Sequence, residues 1–512
     1  MKFLKIFGIV VGVIVLVAVI SGVLLVKLVN LNSLKPMIIE QVYKATGKKL
    51  TLTKDISLNI FPSLGVEFKQ AALSSVPGLG NKPFVEIDDA KVSVKLLPLL
   101  QRKIELKQIV ADGVDFSWQN KKTGQNVSIN NLCIKVDGFN TEDFFPIKLS
   151  FAVHSSQPKI DGNVTATGKL KADMLGHQYQ VQNFAADIKL QGAGLPDGKL
   201  EAKLNSDNVL VNSNQLQIKS FRLIRGKDLV TGSIDVSGFN QAANSNALGA
   251  LRKIKMQAQI ATKHLMVGSL SVNQGKMILN AQDGVIKAEP ITAKLYGGDF
   301  NGSATVNLQQ ETAKSSLQFD FSDFQVQSLL NDLSGINNFI GTGNLQANIN
   351  AGGVDSQSIL STLNGKIKFS LRKGALRGIN LGSLIYAGRE ALGGKAAPPK
   401  NDGNQTNFDS ITGTVTLADG IASNEDLTLV SNNLQAQGSG TANFVTQKLN
   451  YTLEAGLKGK LKKWSVPIVI KGDLLKPEIQ LDMKTILRNI GQQIFKGDLS
   501  KVQIKIGNFL IK

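Results

Sequence analysis

Every second residue of Ala90-Lys91-Val92-Ser93-Val94-Lys95-Leu96 is apolar, and the residues between are polar. Successive side chains of a strand point to opposite faces, so this pattern makes one dry face and one wet one. A helix would scatter the same residues around its axis. The alternation returns in Ile104-Glu105-Leu106, in Val114-Asp115-Phe116-Ser117-Trp118 and in Ile254-Lys255-Met256-Gln257-Ala258-Gln259-Ile260. It appears again in Leu317-Gln318-Phe319-Asp320-Phe321 and Leu449-Asn450-Tyr451-Thr452-Leu453. Pairs suited to tight turns punctuate the chain at Gly162-Asn163, Asp197-Gly198, Asp283-Gly284 and Asp419-Gly420. The chain reads as a long succession of antiparallel hairpins, hence mostly β.

Helical signals are few. Pro36 suits a first turn, Ile38, Val42 and Ala45 recur near helical spacing, and Gly47 is placed to end the element. Short helices are predicted from Val326 to Leu333, from Ser356 to Leu363 and from Gly378 to Leu392. Residues 393–407, with Ala396-Ala397-Pro398-Pro399, read as a flexible connection, with strands resuming at Phe408. Near the end, Ile486, Leu487, Ile490 and Ile494 share one helical face opposite Lys484, Arg488, Gln492 and Lys496. That stripe suits either the protein's own sheet or a lipid surface.

The run from Ile6 to Val26 contains no charged side chain. As a helix it would reach roughly 30 Å, the thickness of a bilayer's hydrocarbon core. It reads as an uncleaved membrane anchor; the competing reading is a secretory signal cut near Ser21-Gly22. The expected organisation is an anchor over 1–30, a first body over 31–325 and a C-terminal module opening with short helices over 326–392. The connection at 393–407, further strands over 408–483 and an amphipathic tail over 484–512 complete it.

Composition narrows the chemistry. There are 58 Lys and Arg against 39 Asp and Glu, a net charge of +19, which suits anionic lipid headgroups. Nucleic acid is not expected as a partner, because aromatics are only 6% of residues and do not interleave with the basic ones. Cys133 is the sole cysteine, which rules out an intramolecular disulfide. His154, His177 and His264 are scattered without metal-ligand or catalytic spacing, and no phosphate loop, nucleophile elbow or paired-histidine zinc helix is present. The chain is therefore expected to be no enzyme and to need no metal or cofactor.

So many apolar strand faces need cover that so few helices cannot give. Either the faces pack on one another as sandwiches, or one sheet curls into a trough whose apolar lining stays open to ligand. Alternation alone fits both. In the second case the lining would comprise Ala90, Val92, Val94, Leu96, Val114, Phe116 and Trp118, then Ile254, Met256, Ala258 and Ile260. Leu317, Phe319, Phe321, Leu449, Tyr451 and Leu453 would continue it. An open trough would let Val94→Asp accumulate folded but unable to hold lipid, with Lys95→Asp as an active control.

The chain also resembles the AsmA family of bacterial envelope proteins. Ser57-Leu58-Asn59-Ile60-Phe61-Pro62-Ser63-Leu64-Gly65-Val66 is similar to that family's opening strand and turn, and Val92 to Leu100 with Ile109 to Val114 to its next strands. Leu295-Tyr296-Gly297-Gly298-Asp299-Phe300-Asn301-Gly302 resembles a typical mid-chain hairpin. Leu363 to Lys366, Lys373 to Leu381, Phe408 to Gly420, Gly438 to Thr441, and Val466 to Gly472 with Pro477 resemble its C-terminal module. Thr123 to Asp161 is the least similar stretch. The resemblance implies a single N-terminal transmembrane helix followed by a long curved antiparallel sheet forming an apolar groove, related in architecture to chorein-type bridge-like lipid transfer proteins. It implies an inner-membrane protein with a periplasmic body that binds phospholipid acyl chains and supports lipid transport toward the outer membrane and envelope integrity. About 25 strands at about 4.8 Å would extend roughly 120 Å, which leaves a role for a helper protein in the periplasm or at the outer membrane. A scaffold or assembly factor for outer-membrane proteins, engaging strands at open sheet edges, is the alternative.

If Ile6 to Val26 is an uncleaved anchor, the mature protein retains Met1 or Lys2 and resists carbonate extraction. N-terminal sequencing that begins near Gly22 would overturn this reading.

Overall fold

The computed structural model describes residues 31–485 apart from positions 47, 60–63, 75–82, 84, 96–97, 99–104, 120–125, 140–141, 174–175, 194, 196–197, 243–246, 311, 392–402, 459–464 and 483. The anchor run Ile6–Val26 and the amphipathic stripe Ile486–Ile494 lie outside the described residues, as do Leu96 and most of the 393–407 connection. No helix among the described residues is long and apolar enough to cross a membrane. The chain divides into two units, Met1–Ile260 and Ala261–Lys512.

In the first unit, a helix over Lys35–Thr46 follows a short turn of helix at Leu31–Leu34. Ile38 and Val42, one turn apart, both face inward, while Glu40 and Lys44 pair across the outer face at 2.6 Å. The strands are β1 (Leu50–Leu52), β2 (Ser57–Asn59), β3 (Gly65–Leu73), β4 (Val85–Val94), β5 (Leu106–Gln119), β6 (Asn126–Asp137) and β7 (Phe145–Ser156). There follow β8 (Lys159–Asp173), β9 (Gln178–Gly192), β10 (Lys199–Asn212), β11 (Gln215–Arg225) and β12 (Asp228–Ser237). Short β1 and β2 both pair with β3, and from β3 to β12 each strand pairs antiparallel with the next in sequence. Two short helices, Phe239–Ala242 and Ala247–Lys253, lead to β13 (Lys255–Val267), inside which the division between units falls.

The second unit continues with β14 (Leu270–Gln282), β15 (Val285–Leu295), β16 (Gly298–Asn307), β17 (Lys314–Gln325), β18 (Phe339–Gly352) and β19 (Asn364–Arg377). It closes with β20 (Gln405–Ala418), β21 (Ile421–Val430), β22 (Leu434–Asn443), β23 (Lys448–Leu457), β24 (Ser465–Asp473) and β25 (Pro477–Leu481). Again each strand from β14 pairs antiparallel with the next. Helices over Val326–Ser334, Ser356–Ser361 and Leu381–Ala391 interrupt the meander.

Turn chemistry explains the hairpins. Asp283-Gly284, Tyr296-Gly297 and Asp419-Gly420 all have positive φ at both positions, which is the two-residue turn whose twist matches that of paired strands. The expected turn at Gly162-Asn163 is corrected: both residues lie inside β8. A Cβ on Gly162 would sit 2.1 Å from the Lys189 carbonyl oxygen, so this glycine serves close strand approach rather than reversal. The strand after the 393–407 connection opens at Gln405, slightly before Phe408.

Three buried clusters hold the units. The first lies between the Lys35–Thr46 helix and β3 to β6, with Leu73, Val85, Ile109, Val114 and Leu132 essentially inaccessible. In the second unit, Leu381 and Ile385 of the Leu381–Ala391 helix pack on Ile411, Leu429, Ala436 and Ile468. Val326, Leu329 and Leu330 pack on Phe321, Phe324 and Leu345.

Leu132→Ala is expected to destabilise the first unit by about 2–5 kcal/mol, the range for deleting a fully buried Leu side chain. Val94 is only 1% exposed inside the same cluster, so Val94→Asp should unfold that unit rather than accumulate folded. Urea unfolding followed by circular dichroism tests both, and a native-like midpoint for Val94→Asp would show that the cluster is loose.

Candidate functional site

The strand registers bring the apolar members of the alternation onto one face within each unit. Partnered residues on adjacent antiparallel strands point the same way. In the first unit Val92 lies opposite Val66 and Ile109, and Ile109 opposite Val136. The same face continues through Ile147 and Leu149 of β7, Val164 opposite Ile188, Ile188 opposite Ala202, and Leu204 opposite Leu223. In the second unit Ile291 lies opposite Gly302, Gly302 opposite Phe319, Phe319 opposite Ala347, and Ala347 opposite Ile367. The row proceeds through Val415 to β21, and Tyr451 and Leu453 meet Ile470 and Ile468.

Local bulges preserve this sidedness. Gln70, Asn131, Asn183, Gln274, Asp323 and Lys373 all have positive φ within or between paired stretches. An extra residue in the left-handed region absorbs a register step and returns the following side chains to the original face. Some of these bulges are pinned by side chains: Asp115 accepts the Asn131 amide at 2.7 Å, and Asn344 accepts the Asp323 amide at 2.8 Å.

The predicted lining residues fall into three environments. Val92, Val94, Val114 and Phe116 are fully buried and Ala90 packs beside them, all in the closed cluster beneath the first helix. Met256 and Ile260 are half-buried and flank buried Ala258 on one side of β13, with Ile254 half-buried just before the strand. Leu317 is 37% exposed, Phe319, Leu449, Tyr451 and Leu453 are half-buried, and Phe321 is buried against Phe324. Leu96 and the Trp118 side chain lie outside the described residues.

The sequence pattern missed the residues that leave the apolar face accessible in the first unit. Val164, Ile188, Val209, Ile218 and Ile234 share the face, belong to none of the three buried clusters, and remain half-buried. Their strands carry in-strand glycines and register shifts, between Asn205 and Asn208 and between Ile218 and Phe221, which break the period of two. Counting from the bulge rather than through it would have found them.

Aromatic rings lie against glycines of the neighbouring strand. Phe221 faces Gly232, Phe324 faces Gly343, Phe369 faces Gly413 and Tyr451 faces Gly440. A Cβ on those glycines would come within 3.0, 2.6, 2.8 and 2.6 Å of the respective rings. The rings therefore lie low over bare backbone and keep the face shallow.

Polar chemistry on this face is sparse. The Tyr451 hydroxyl donates to Asn424 Oδ1. Asn424 Nδ2 donates to the Thr414 carbonyl at 2.9 Å and to Asp426 Oδ1 at 2.8 Å. Burial, assisted by the Asp426 charge, pushes the Tyr451 phenol up to about 12. Burial likewise raises the Cys133 thiol, with Asp112 adding to the effect, which disfavours the thiolate a nucleophile needs. Among the described residues no group of His, Cys, Asp and Glu is arranged to hold a metal. The arrangement offers an extended apolar surface, on which the available interactions are burial and dispersion.

A long antiparallel meander with one continuous apolar face per unit defines a class of sheet proteins built around a hydrophobic surface. The AsmA family profile matches residues 1–137 and 183–427, and the chain belongs to the AsmA family. It is 18% identical to Protein AsmA of Escherichia coli (strain K12) over 579 aligned residues, covering 93% of each chain. The profile match stops before Gly438-Ser439-Gly440-Thr441 and Val466 to Gly472, and leaves out 138–182. No solved structure matches the chain.

Tyr451→Phe would strip buried Asn424 Oδ1 of its donor. A loss of about 1–3 kcal/mol is expected, the cost of leaving a buried polar atom unpaired. Thermal unfolding measures it; an unchanged midpoint would show that the pair contributes nothing.

Proposed function

We propose that the chain is a non-enzymatic phospholipid carrier, anchored in the inner membrane by Ile6–Val26 with its body in the periplasm, that supports lipid movement toward the outer membrane. The observation that carries this is the half-buried row Val164, Ile188, Val209, Ile218 and Ile234, an apolar face left accessible beyond the packed cluster. Apolar surface of that extent is kept accessible on proteins that bind apolar partners. Family membership supports an envelope role.

The energetics fit an acyl chain. Moving a sixteen-carbon chain into water costs on the order of 13 kcal/mol at about 0.8 per methylene. A continuous apolar lining removes most of that barrier without supplying direction, so net flow needs a gradient or an energised partner.

Mass spectrometry of the purified full chain should find phospholipid bound. Ile188→Asp introduces a carboxylate on the accessible face, where it keeps contact with water, so the protein should fold yet retain less than about a tenth of the lipid. Lys189→Asp, one residue away on the opposite face, should retain all of it. Lipid-free wild-type protein would overturn the proposal, and co-purifying outer-membrane protein in its place would favour the scaffold reading.

A further inference from the structure

In the second unit the two ends of the strands differ. Antiparallel alternation sets the β18–β19, β20–β21, β22–β23 and β24–β25 connections at one common end. The helices over Val326–Ser334 and Leu381–Ala391 belong to connections at the other end, where they bury the apolar face. At the first end part of the face stays accessible, with Leu317 37% exposed and Val306, Ile349 and Leu449 half-buried, while Leu417 and Ala422 between them are buried.

The same end carries a row of projecting apolar side chains. Val354 is 65% exposed, Ile421 40%, Val445 45% and Leu475 60%, with Ile359 and Leu360 exposed beside Val354. The row is continuous. The Gly420 amide donates to the Leu363 carbonyl, the Phe444 amide to the Gly420 carbonyl, and the Leu474 amide to the Gln447 carbonyl, each at 3.0 Å. A Cβ on Gly420 would meet both the Leu360 carbonyl oxygen at 2.3 Å and Val445 Cγ2 at 3.1 Å. Hydrogen bonds and close packing therefore join these turns into one rim.

We infer that this rim is a bilayer-docking edge, seating its apolar tips among the acyl chains of a phospholipid surface so that lipid passes directly onto the accessible half of the sheet face. The inference rests on the acyl-chain reading above and adds where lipid is admitted. Single apolar side chains on successive turns suit penetration of a soft surface better than a flat protein contact. Exposed lysines stand beside them. Lys366, Lys448 and Lys476 are exposed and form no ion pair among the described residues, leaving them for headgroup phosphates. The aspartates of the same turns keep their charge, each held by a local amide donor. Asp355 accepts the Ser358 amide at 2.9 Å, Asp473 the Leu475 amide at 3.0 Å, and Asp419 the Asn364 side-chain amide at 3.1 Å.

The test uses the full chain with Cys133→Ser, labelled with an environment-sensitive fluorophore at Leu475→Cys, Val445→Cys or, as control, Leu333→Cys. Leu333 is 59% exposed on the helix at the opposite end. The probe is phosphatidylethanolamine–phosphatidylglycerol vesicles carrying a nitroxide high on the acyl chain. Fluorophores at 475 and 445 should shift to the blue and be quenched, while the one at 333 should not. Equal quenching at all three positions, or none at the rim, overturns the inference. A combined Val354→Ser, Leu360→Ser, Val445→Ser and Leu475→Ser variant changes only exposed side chains. It should acquire lipid from vesicles about tenfold more slowly or worse while holding as much lipid at equilibrium. Unchanged uptake rate would count against the rim. Absence of bound lipid from wild type would instead refute the carrier reading, with the quenching pattern still deciding the docking.

Discussion

Sidedness is the constraint on which everything else in this protein depends. A strand has two faces, and a slip of one residue would move every apolar side chain to the wet one. Here the pairings from β3 to β12 and from β14 to β25 keep the apolar residues together, and residues such as Asn131 and Asp323 in the left-handed region take up several of the irregularities. Neither unit folds its apolar side away completely. Helices supply cover locally, Lys35–Thr46 in the first unit and Val326–Ser334 and Leu381–Ala391 in the second. Where their cover ends, half-buried Val, Ile and Leu side chains take over.

This division of labour lets one surface be packed for stability in some stretches and left accessible in others. The buried clusters contain the residues with the least accessible side chains, Leu73, Ile109, Leu132 and Ile468 among them, and these supply the folding free energy. The accessible rows bury less apolar surface, so less free energy rests on each of their side chains than on those of the clusters. Val94 and Ile188 belong to the same face by register yet answer to different physics, because one sits in the cluster beneath a helix and the other does not.

Much of the fold was legible in the residues. The period of two located strands at Val114–Trp118, Leu317–Phe321 and Leu449–Leu453, Asp283-Gly284 and Asp419-Gly420 marked their turns, and all four short predicted helices among the described residues are present. What could not be read has physical causes. Gly162 looks like a turn residue in isolation, and only the approach of the Lys189 carbonyl reveals why a strand needs it. Val92 and Val94 are buried in a cluster that also holds Ile38 and Val42, from a helix some fifty residues earlier in the chain. Pattern gives the face of a strand, whereas tertiary packing decides whether that face is accessible.

The rings lying over Gly232, Gly413 and Gly440, outside the cover of the Val326–Ser334 helix that closes over Phe324 and Gly343, have a kinetic consequence. Bulky side chains standing upright would give the surface ridges, and a hydrocarbon resting between them would have to climb each one to advance. Rings laid over bare backbone lower those ridges. With dispersion contacts that are individually weak and nearly interchangeable along the face, one resting position resembles the next. For an acyl chain held as proposed, the landscape within each unit would be of low roughness, and displacement would be a random walk of short steps rather than a series of captures and releases.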